Sequence, residues 1–140
     1  MLHIIPIQSK DEQRALAEAF GERYDEQAFA YLAVEEGESE RRALGFMQFT
    51  LGTDSAEVLC IREADGEDDL EAMMILARSA FSFIHRIGLR TVSAQKGAIS
   101  DRLAAALALE DDGGVRRLDL IRYFAMPCGE RARQNTEAAK

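Results

Sequence analysis

The stretch AEVLCIREADGEDDLEAMMILARSAFSFIHRIG, residues 56–88, decides the fold of this chain. Its first six residues, Ala56 to Ile61, have the composition of a strand, and a polar loop follows them. Apolar residues then recur at helical spacing, which predicts a helix of about five turns that begins near Asp68 and ends at Gly88; they are Leu70, Met73, Met74, Ala77, Phe81 and Ile84. The helix opens with acidic residues, where a phosphate-binding helix would open with glycines.

The residues before this stretch predict a strand, a helix and two further strands. Leu2 to Ile7 reads as a strand, and Ser9 is a plausible N-cap for a helix that ends at Gly21. Strands are predicted at Ala28–Glu35 and Ala43–Leu51, and short turns join them to Ala56–Ile61 in an antiparallel meander. Strict alternation places Leu44 and Phe46 opposite Met47, Phe49 and Leu51, and places Val58 and Cys60 opposite Glu57, Leu59 and Ile61.

The residues after the long helix complete the sheet. Thr91–Ala94 is a short strand that follows a helix, so a right-handed parallel crossover is the expected connection. A helix from Ser100 to Leu109 and a strand from Val115 to Met126 come next. The predicted fold class is α/β (α+β), with a mixed sheet of about six strands and helices on both faces. We expect a single domain over 1–127 and a tail, 128–140, that is flexible or a frayed helix.

Composition narrows the class of protein. A chain of 140 residues with 47% apolar residues suits one core, and a net charge of -8 disfavours nucleic acid and anionic membranes. No apolar run has the length of a membrane helix, and Met1 to Lys10 lacks the pattern of a signal peptide, so we expect a cytoplasmic protein. Cys60 and Cys128 have no CxxC spacing, which suggests neither a metal site nor a disulfide.

The order of elements over residues 2–126 resembles the GNAT (GCN5-related N-acetyltransferase) superfamily, whose members use acetyl-CoA. The resemblance implies that the strand before the long helix holds the pantetheine arm by its backbone. It also implies that a turn of the form Gln/Arg-x-x-Gly-x-Gly/Ala presents helix amides to the pyrophosphate. Arg62 and Gly66 match this motif with one residue too many between them. The cofactor contacts carried over, mainly through backbone atoms, are Leu59, Ile61, Arg62, Gly66, Glu67, Asp68, Asp69 and Leu70.

The acidic residues at the start of the long helix affect whether it can bind the pyrophosphate of that cofactor. A helix N-terminus binds phosphate through unpaired N–H groups and a partial positive charge. Glu67, Asp68 and Asp69 oppose both, and Asp68 with Glu71 fits a capping box that would satisfy the amides internally. Two interpretations stay open: an ordinary acid-capped helix, or a phosphate cradle whose acids point to solvent and whose Gly66 lets a ligand approach.

Two residues are candidates for catalysis. The resemblance implies a tyrosine that reprotonates the leaving thiolate, and Tyr123 is the candidate, although a core or rim aromatic is the plainer interpretation. Glu57 could act as general base on an amine, against a solvated carboxylate at the strand end. Cys60 is interpreted as a core residue. His85 lies near the C-terminus of the long helix, where the helix dipole favours a partly charged imidazole. Lys96 and Arg102 are interpreted as surface cations that could contact a nucleotide 3'-phosphate.

Three functional hypotheses follow. The first is transfer of an acetyl group from acetyl-CoA to an unknown amine, on a small molecule or a protein, with the amine steered by Glu35, Glu36 or Glu57. The second is a GNAT-shaped binding or dimerisation module that has lost CoA binding, in which case a homodimer through the terminal strand is one arrangement. The third is an unrelated small interaction domain whose fourth and fifth strands do not splay.

Overall fold

The computed structural model of the chain describes residues 1–125. The predicted tail 128–140 therefore lies outside the described residues, as does Cys128. Twelve elements follow one another along the chain: β1 Leu2–Ile7, α1 Lys10–Ala19, β2 Phe29–Glu36, β3 Arg41–Leu51, β4 Ser55–Glu63, α2 Leu70–Arg86, β5 Thr91–Gln95, a 3-10 turn Lys96–Ala98, α3 Asp101–Ala106, β6 Glu110–Asp112, β7 Val115–Asp119 and α4 Leu120–Ala125.

The strands form one mixed sheet in the order β1-β2-β3-β4-β5-β7-β6. Every neighbouring pair is antiparallel except β4 and β5, which are parallel. The predicted meander and the parallel crossover through α2 are confirmed. Helix α1 covers one face of the sheet, and α2, α3 and α4 pack on the other, so the predicted fold class is confirmed as well.

The C-terminal part of the sheet differs from the prediction. It contains an additional hairpin, β6–β7, whose turn is made by Gly113 and Gly114 at φ 62° and 91°, so the sheet has seven strands. The predicted strand Val115–Met126 was wrong beyond Asp119. The Asp119 carboxylate accepts hydrogen bonds from the N–H groups of Ile121 and Arg122 at 3.0 and 3.2 Å, which caps a new helix, α4. Helix α3 also ends earlier than predicted, because Ala108 adopts φ 61°.

Two β-bulges change which side chains share a face. In β3 the extra residue is Leu44, and in β4 it is Leu59. Leu44 consequently lies with Met47 on the α2 side, and Ile61 joins Val58 there while Cys60 faces α1. The predicted alternation was therefore wrong for both strands, because an inserted residue reverses the parity of all positions beyond it.

The core on the α2 side is the larger of the two. Phe49 from the sheet and Phe81 and Ile84 from α2 are fully buried in it, which confirms the helical periodicity of the sequence. Gly45 of β3 lies beneath Met73, where an added Cβ would approach the Met73 sulfur to 2.4 Å. The glycine thus lets α2 pack close to the centre of the sheet. No helix within residues 1–125 has the length and apolar character needed to cross a membrane.

Candidate functional site

The fourth and fifth strands separate part-way along the sheet. Their parallel pairing runs from Ser55 with Thr91 to Val58 with Ala94, whereas β4 continues to Glu63. The bulge at Leu59 falls directly after the last pair. The backbone of 59–63 therefore has no strand partner on the β5 side. We call the region beside it, at the C-terminal ends of two parallel strands, the cleft, because ligands of open α/β sheets commonly bind there.

The loop from Glu63 to Asp69 lies at the end of this cleft. Gly66 adopts φ 81°, and the Glu67 N–H donates to the Ala64 carbonyl at 3.1 Å, so the loop makes a tight turn. The Asp69 N–H then donates to the Glu63 carboxylate at 2.6 Å. An acidic side chain of the chain itself thus lies against the amide that precedes α2.

The first turn of α2 is capped by Asp69. Its carboxylate accepts from the Ala72 N–H at 3.0 Å, and the helix begins at Leu70. The prediction of Asp68 as the cap was wrong by one residue, because the Asp68 carboxylate pairs with Arg102 instead of a helix amide. Asp69 thus satisfies, by its side chain, one of the amides that a bound phosphate would need.

Ion pairs hold two further acids of the loop. Glu67 pairs with Arg42 of β3 at 2.9 Å, and Asp68 pairs with Arg102 of α3 at 2.8 Å. The second pair joins the beginnings of α2 and α3. It also occupies Arg102, one of the two cations predicted to contact a 3'-phosphate. Arg62 has a partner too, because it lies 3.4 Å from the carboxylate of Glu22. Such exposed pairs contribute little stability, but they do set where the charges lie.

Glu57 lies on β4 one residue before the cleft opens. It is half-buried, paired with Thr50 on one side and Ser93 on the other, and it faces away from the core formed by Ala56 and Val58. The structure therefore places this predicted base near the cleft, on the α1 side of the sheet.

Tyr123 lies at the other end of β5. It is on helix α4, not on a strand, and α4 follows Asp119, which pairs with Thr91 at the start of β5. Its side chain is buried, its hydroxyl accepts from the Arg78 Nε at 3.1 Å, and its ring packs edge-on against Phe81. Tyr123 belongs to the core on the α2 side of the sheet, whereas Glu57 faces the α1 side. The sheet thus lies between the two predicted catalytic side chains, and their roles stay predictions.

A buried arginine fixes the start of α3. Arg116 of β7 is 4% exposed, and it donates to the Ile99 carbonyl at 3.0 Å and to the carboxylates of Asp101 and Asp111. The hydrogen bond from Arg116 holds the pKa of Asp101 below its usual value, and the same bond raises the pKa of Arg116. This cluster sets the position of α3, and with it Arg102, beside the cleft.

Sequence reasoning missed three residues that shape this region. Glu63 was treated as a loop residue, and only the closing of the loop brings it to the Asp69 amide. Gln13 and Gln48 are buried on the α1 side and hydrogen-bonded to each other at 2.9 Å, and they also bind carbonyls of the α1–β2 loop, Asp25 and Arg23. A glutamine inside an apolar strand was the one available signal for this network.

The buried thiol of Cys60 makes the stability of this part of the sheet depend on pH at high pH. Burial raises its thiol pKa from 9.0 to about 11, in spite of a hydrogen bond from Gln48 that lowers it. Because the folded pKa exceeds the unfolded value, its contribution to stability is complete below pH 9 and is lost as the pH rises to 11. We expect the free energy of unfolding to fall by about 2 to 3 kcal/mol over that window from this group. Urea unfolding of the parent and of Cys60→Ala measures it, and equal losses in the two proteins would contradict the assignment.

Comparison with known proteins gives matches by structure alone. No protein-family model matches the chain, and no curated protein matches its sequence. Among solved structures, the ribosomal-protein-S18-alanine N-acetyltransferase of Escherichia coli is similar at a TM-score of 0.65 and 12% identity, over 86% of this chain and 94% of that one. The chain has the GNAT fold.

Two further GNAT-fold structures show the same level of similarity. The spermidine/spermine N-acetyltransferase SpeG of Vibrio cholerae, solved in mutant forms, matches at a TM-score of 0.64 and 12% identity, over 89% of this chain and 98% of that one. A GNAT family acetyltransferase of Brucella melitensis, solved in complex with acetyl-CoA, matches at a TM-score of 0.62 and 12% identity, over 85% of this chain and 88% of that one. The strand order and the splay beside β4 agree with this assignment.

Proposed function

We propose that this chain is a binding module with the GNAT fold, in which the chain's own carboxylates take the place of the cofactor's diphosphate. The observation that carries the proposal is the 2.6 Å hydrogen bond from the Asp69 N–H to the Glu63 carboxylate. A carboxylate in that position competes with a bound anion at a high effective concentration, since it is covalently part of β4.

Electrostatics favour this function over cofactor binding. Each carboxylate about 6 Å from a phosphate charge costs about 3 kcal/mol at an effective dielectric of about 20. The helix dipole offers only about 0.3 to 1 kcal/mol in return. Glu63, Asp68 and Asp69 all lie around the start of α2, so their combined repulsion exceeds that attraction. Asp68 adds least to this repulsion, about 0.7 kcal/mol in water at the same distance, because its side chain is 80% exposed and paired with Arg102.

The position of the candidate catalytic groups supports the same conclusion. Tyr123 is buried against α2 at the far end of β5, and its hydroxyl is bonded to Arg78. Glu57 lies on the α1 side of the sheet, and Tyr123 belongs to the core on the α2 side. Two candidates on opposite faces do not suit the paired proton transfers that acyl transfer from a thioester to an amine uses.

Acetyl transfer is the second candidate, and the open cleft favours it. The backbone of Leu59 and Ile61 is unpaired on the β5 side, and Arg62 and Gly66 lie where the resemblance places cofactor contacts. In that case acetyl-CoA is the donor, and Glu57 takes a proton from the attacking amine, directly or through water. The similar structures from E. coli and V. cholerae are named for alanine and polyamine acceptors, so a protein or small-molecule amine would be the acceptor.

Calorimetric titration separates the two candidates. We expect CoA and acetyl-CoA to give no saturable heat with the full chain up to about 1 mM, which corresponds to binding weaker than about -4 kcal/mol. We also expect no release of free thiol from acetyl-CoA over a panel of polyamine, aminoglycoside and peptide amines. Saturable heat together with amine-dependent release of thiol would contradict the binding-module proposal and support acetyl transfer.

A further inference from the structure

A second concave surface lies away from the cleft, on the α2 side of the sheet near its β1 edge. It is a groove of about 540 Å³ between α2 and the strands β1 and β2, which is within the size range of small-molecule sites. Apolar side chains of Ile4, Pro6 and Ile75 contribute to its walls, and Tyr31 extends from β2.

The charge of this groove is opposite to that of the protein as a whole. Arg78 and Arg86 line it together with the hydroxyl-bearing Ser79 and Ser82, and none of its described lining residues is acidic. The chain overall carries 25 acidic and 17 basic residues, so the part of this lining that falls within residues 1–125, with its two arginines, differs in sign from the chain as a whole. Arg86 is exposed and makes no ion pair within residues 1–125.

The two arginines lie at defined positions along the groove. The Nε of Arg78 donates to the Tyr123 hydroxyl at 3.1 Å, which holds its side chain beside the wall. Arg86 lies at the last turn of α2, eight residues further on, so about 12 Å of helix separates their backbones. Tyr31 and Arg86 line the same groove. Burial raises the pKa of the Tyr31 hydroxyl, and the charge of Arg86 lowers it.

Aromatic side chains border the end of the groove near Arg86. Phe83 of α2 lies 6.0 Å from Phe29 of β2 between ring centroids, and Phe29 is 45% exposed. The Tyr31 ring packs edge-on against Phe49 in the same aromatic group. A ligand that reaches Arg86 with a charged head therefore finds apolar surface for the rest of its length.

We propose that this groove binds a small organic anion, a carboxylate joined to an apolar body, with the carboxylate on Arg86 and the body along Ile4, Ile75 and Tyr31. The inference does not depend on what the cleft beside β4 binds. Arginine suits this head group because its planar donors match a carboxylate, and the groove's sign excludes a cationic ligand of the same shape.

The test compares three probes that share one body. Octanoate, octanol and octylamine are titrated into the full chain and followed by amide chemical shifts. We expect octanoate to saturate with shifts at Tyr31, Ser79, Ser82 and Arg86, octanol to bind about tenfold more weakly, and octylamine to give no saturable shift. Arg86→Gln should weaken octanoate about tenfold. Arg23→Gln removes the same charge from an exposed residue on the α1 side, and it should leave the affinity within about twofold.

Several outcomes would overturn the proposal. Equal affinities for octanoate and octanol would mean that Arg86 does not recognise the carboxylate. Shifts confined to the cleft residues 59–69 would mean that the ligand does not bind in the groove. Equal weakening by Arg86→Gln and Arg23→Gln would reduce the effect to net charge. A concentration-dependent dimer that Arg86→Glu dissociates, measured by sedimentation, would assign the groove to a second copy of the chain.

Discussion

Removing three carboxylates at the start of α2 should create CoA binding that, under the proposed function, the parent chain does not have. In the variant Glu63→Ala, Asp68→Gly, Asp69→Ser, the Asp69 amide loses its internal acceptor and Arg102 loses its partner. Serine at position 69 keeps an N-cap oxygen, so α2 should still begin at Leu70. We expect the affinity for CoA to rise by about 100-fold or more, since a single carboxylate at about 6 Å already costs about 3 kcal/mol at an effective dielectric of about 20.

The matched control changes net charge equally at a distance. Glu26→Gln, Glu38→Gln and Glu40→Gln alter three exposed acids and also take the formal charge from -8 to -5, that is -8 plus 3. Titration calorimetry of the parent and both variants, at two salt concentrations, measures the difference. If the control variant gains as much affinity as the first, the loop carboxylates have no special role, and if the parent binds as tightly as the first variant, the binding-module proposal fails.

Truncating Phe81 should give the largest loss of stability. Its side chain is fully buried between α2 and the sheet and packs edge-on against Tyr123 at 6.1 Å, so it joins α4 to the main core. Phe81→Ala should lower the free energy of unfolding by about 3 to 5 kcal/mol, because the cavity adds to the lost burial. The Tm should fall by about 15 °C for a chain of this size.

An exposed aromatic supplies the comparison. Phe29, at 45% exposure, loses far less packing on truncation, and Phe29→Ala should cost under about 1.5 kcal/mol. Urea unfolding of both variants with an unchanged m-value gives the two numbers. Similar losses for Phe29→Ala and Phe81→Ala would contradict the described core.

The order of the elements was predictable because their local signals are strong. Met73, Ala77, Phe81 and Ile84 recur at helical spacing over about three turns, and all four are buried. The predicted strands were each found within one to two residues up to β5. The boundary at Asp119 was not predictable, because the apolar residues that follow it suit a strand as well as a short helix, and the cap that decides between them is a geometric fact.

The bulges and the site depended on information that one sequence does not carry. An extra residue at Leu44 or Leu59 leaves the strand-like composition unchanged. A prediction that assumes strict alternation therefore assigns the residues beyond it to the wrong face of the sheet. The sequence alone predicted that the acidic residues at 67–69 would repel a diphosphate at the start of α2. The contact between Glu63 and the Asp69 amide could not be predicted, because the two residues meet only when the loop around Gly66 has folded.

The two outermost strands of the sheet end it in different ways. Strand β6 consists of Glu110, Asp111 and Asp112, and β1 at the opposite margin includes Pro6, which has no N–H to offer a neighbour. A chain approaching β6 meets three acidic residues, two of which pair with arginines of β7, and one approaching β1 meets an interrupted ladder. Both margins therefore discourage strand-by-strand growth into fibrils, which matters for a concentrated sample whose sheet would otherwise present open ladders at both sides.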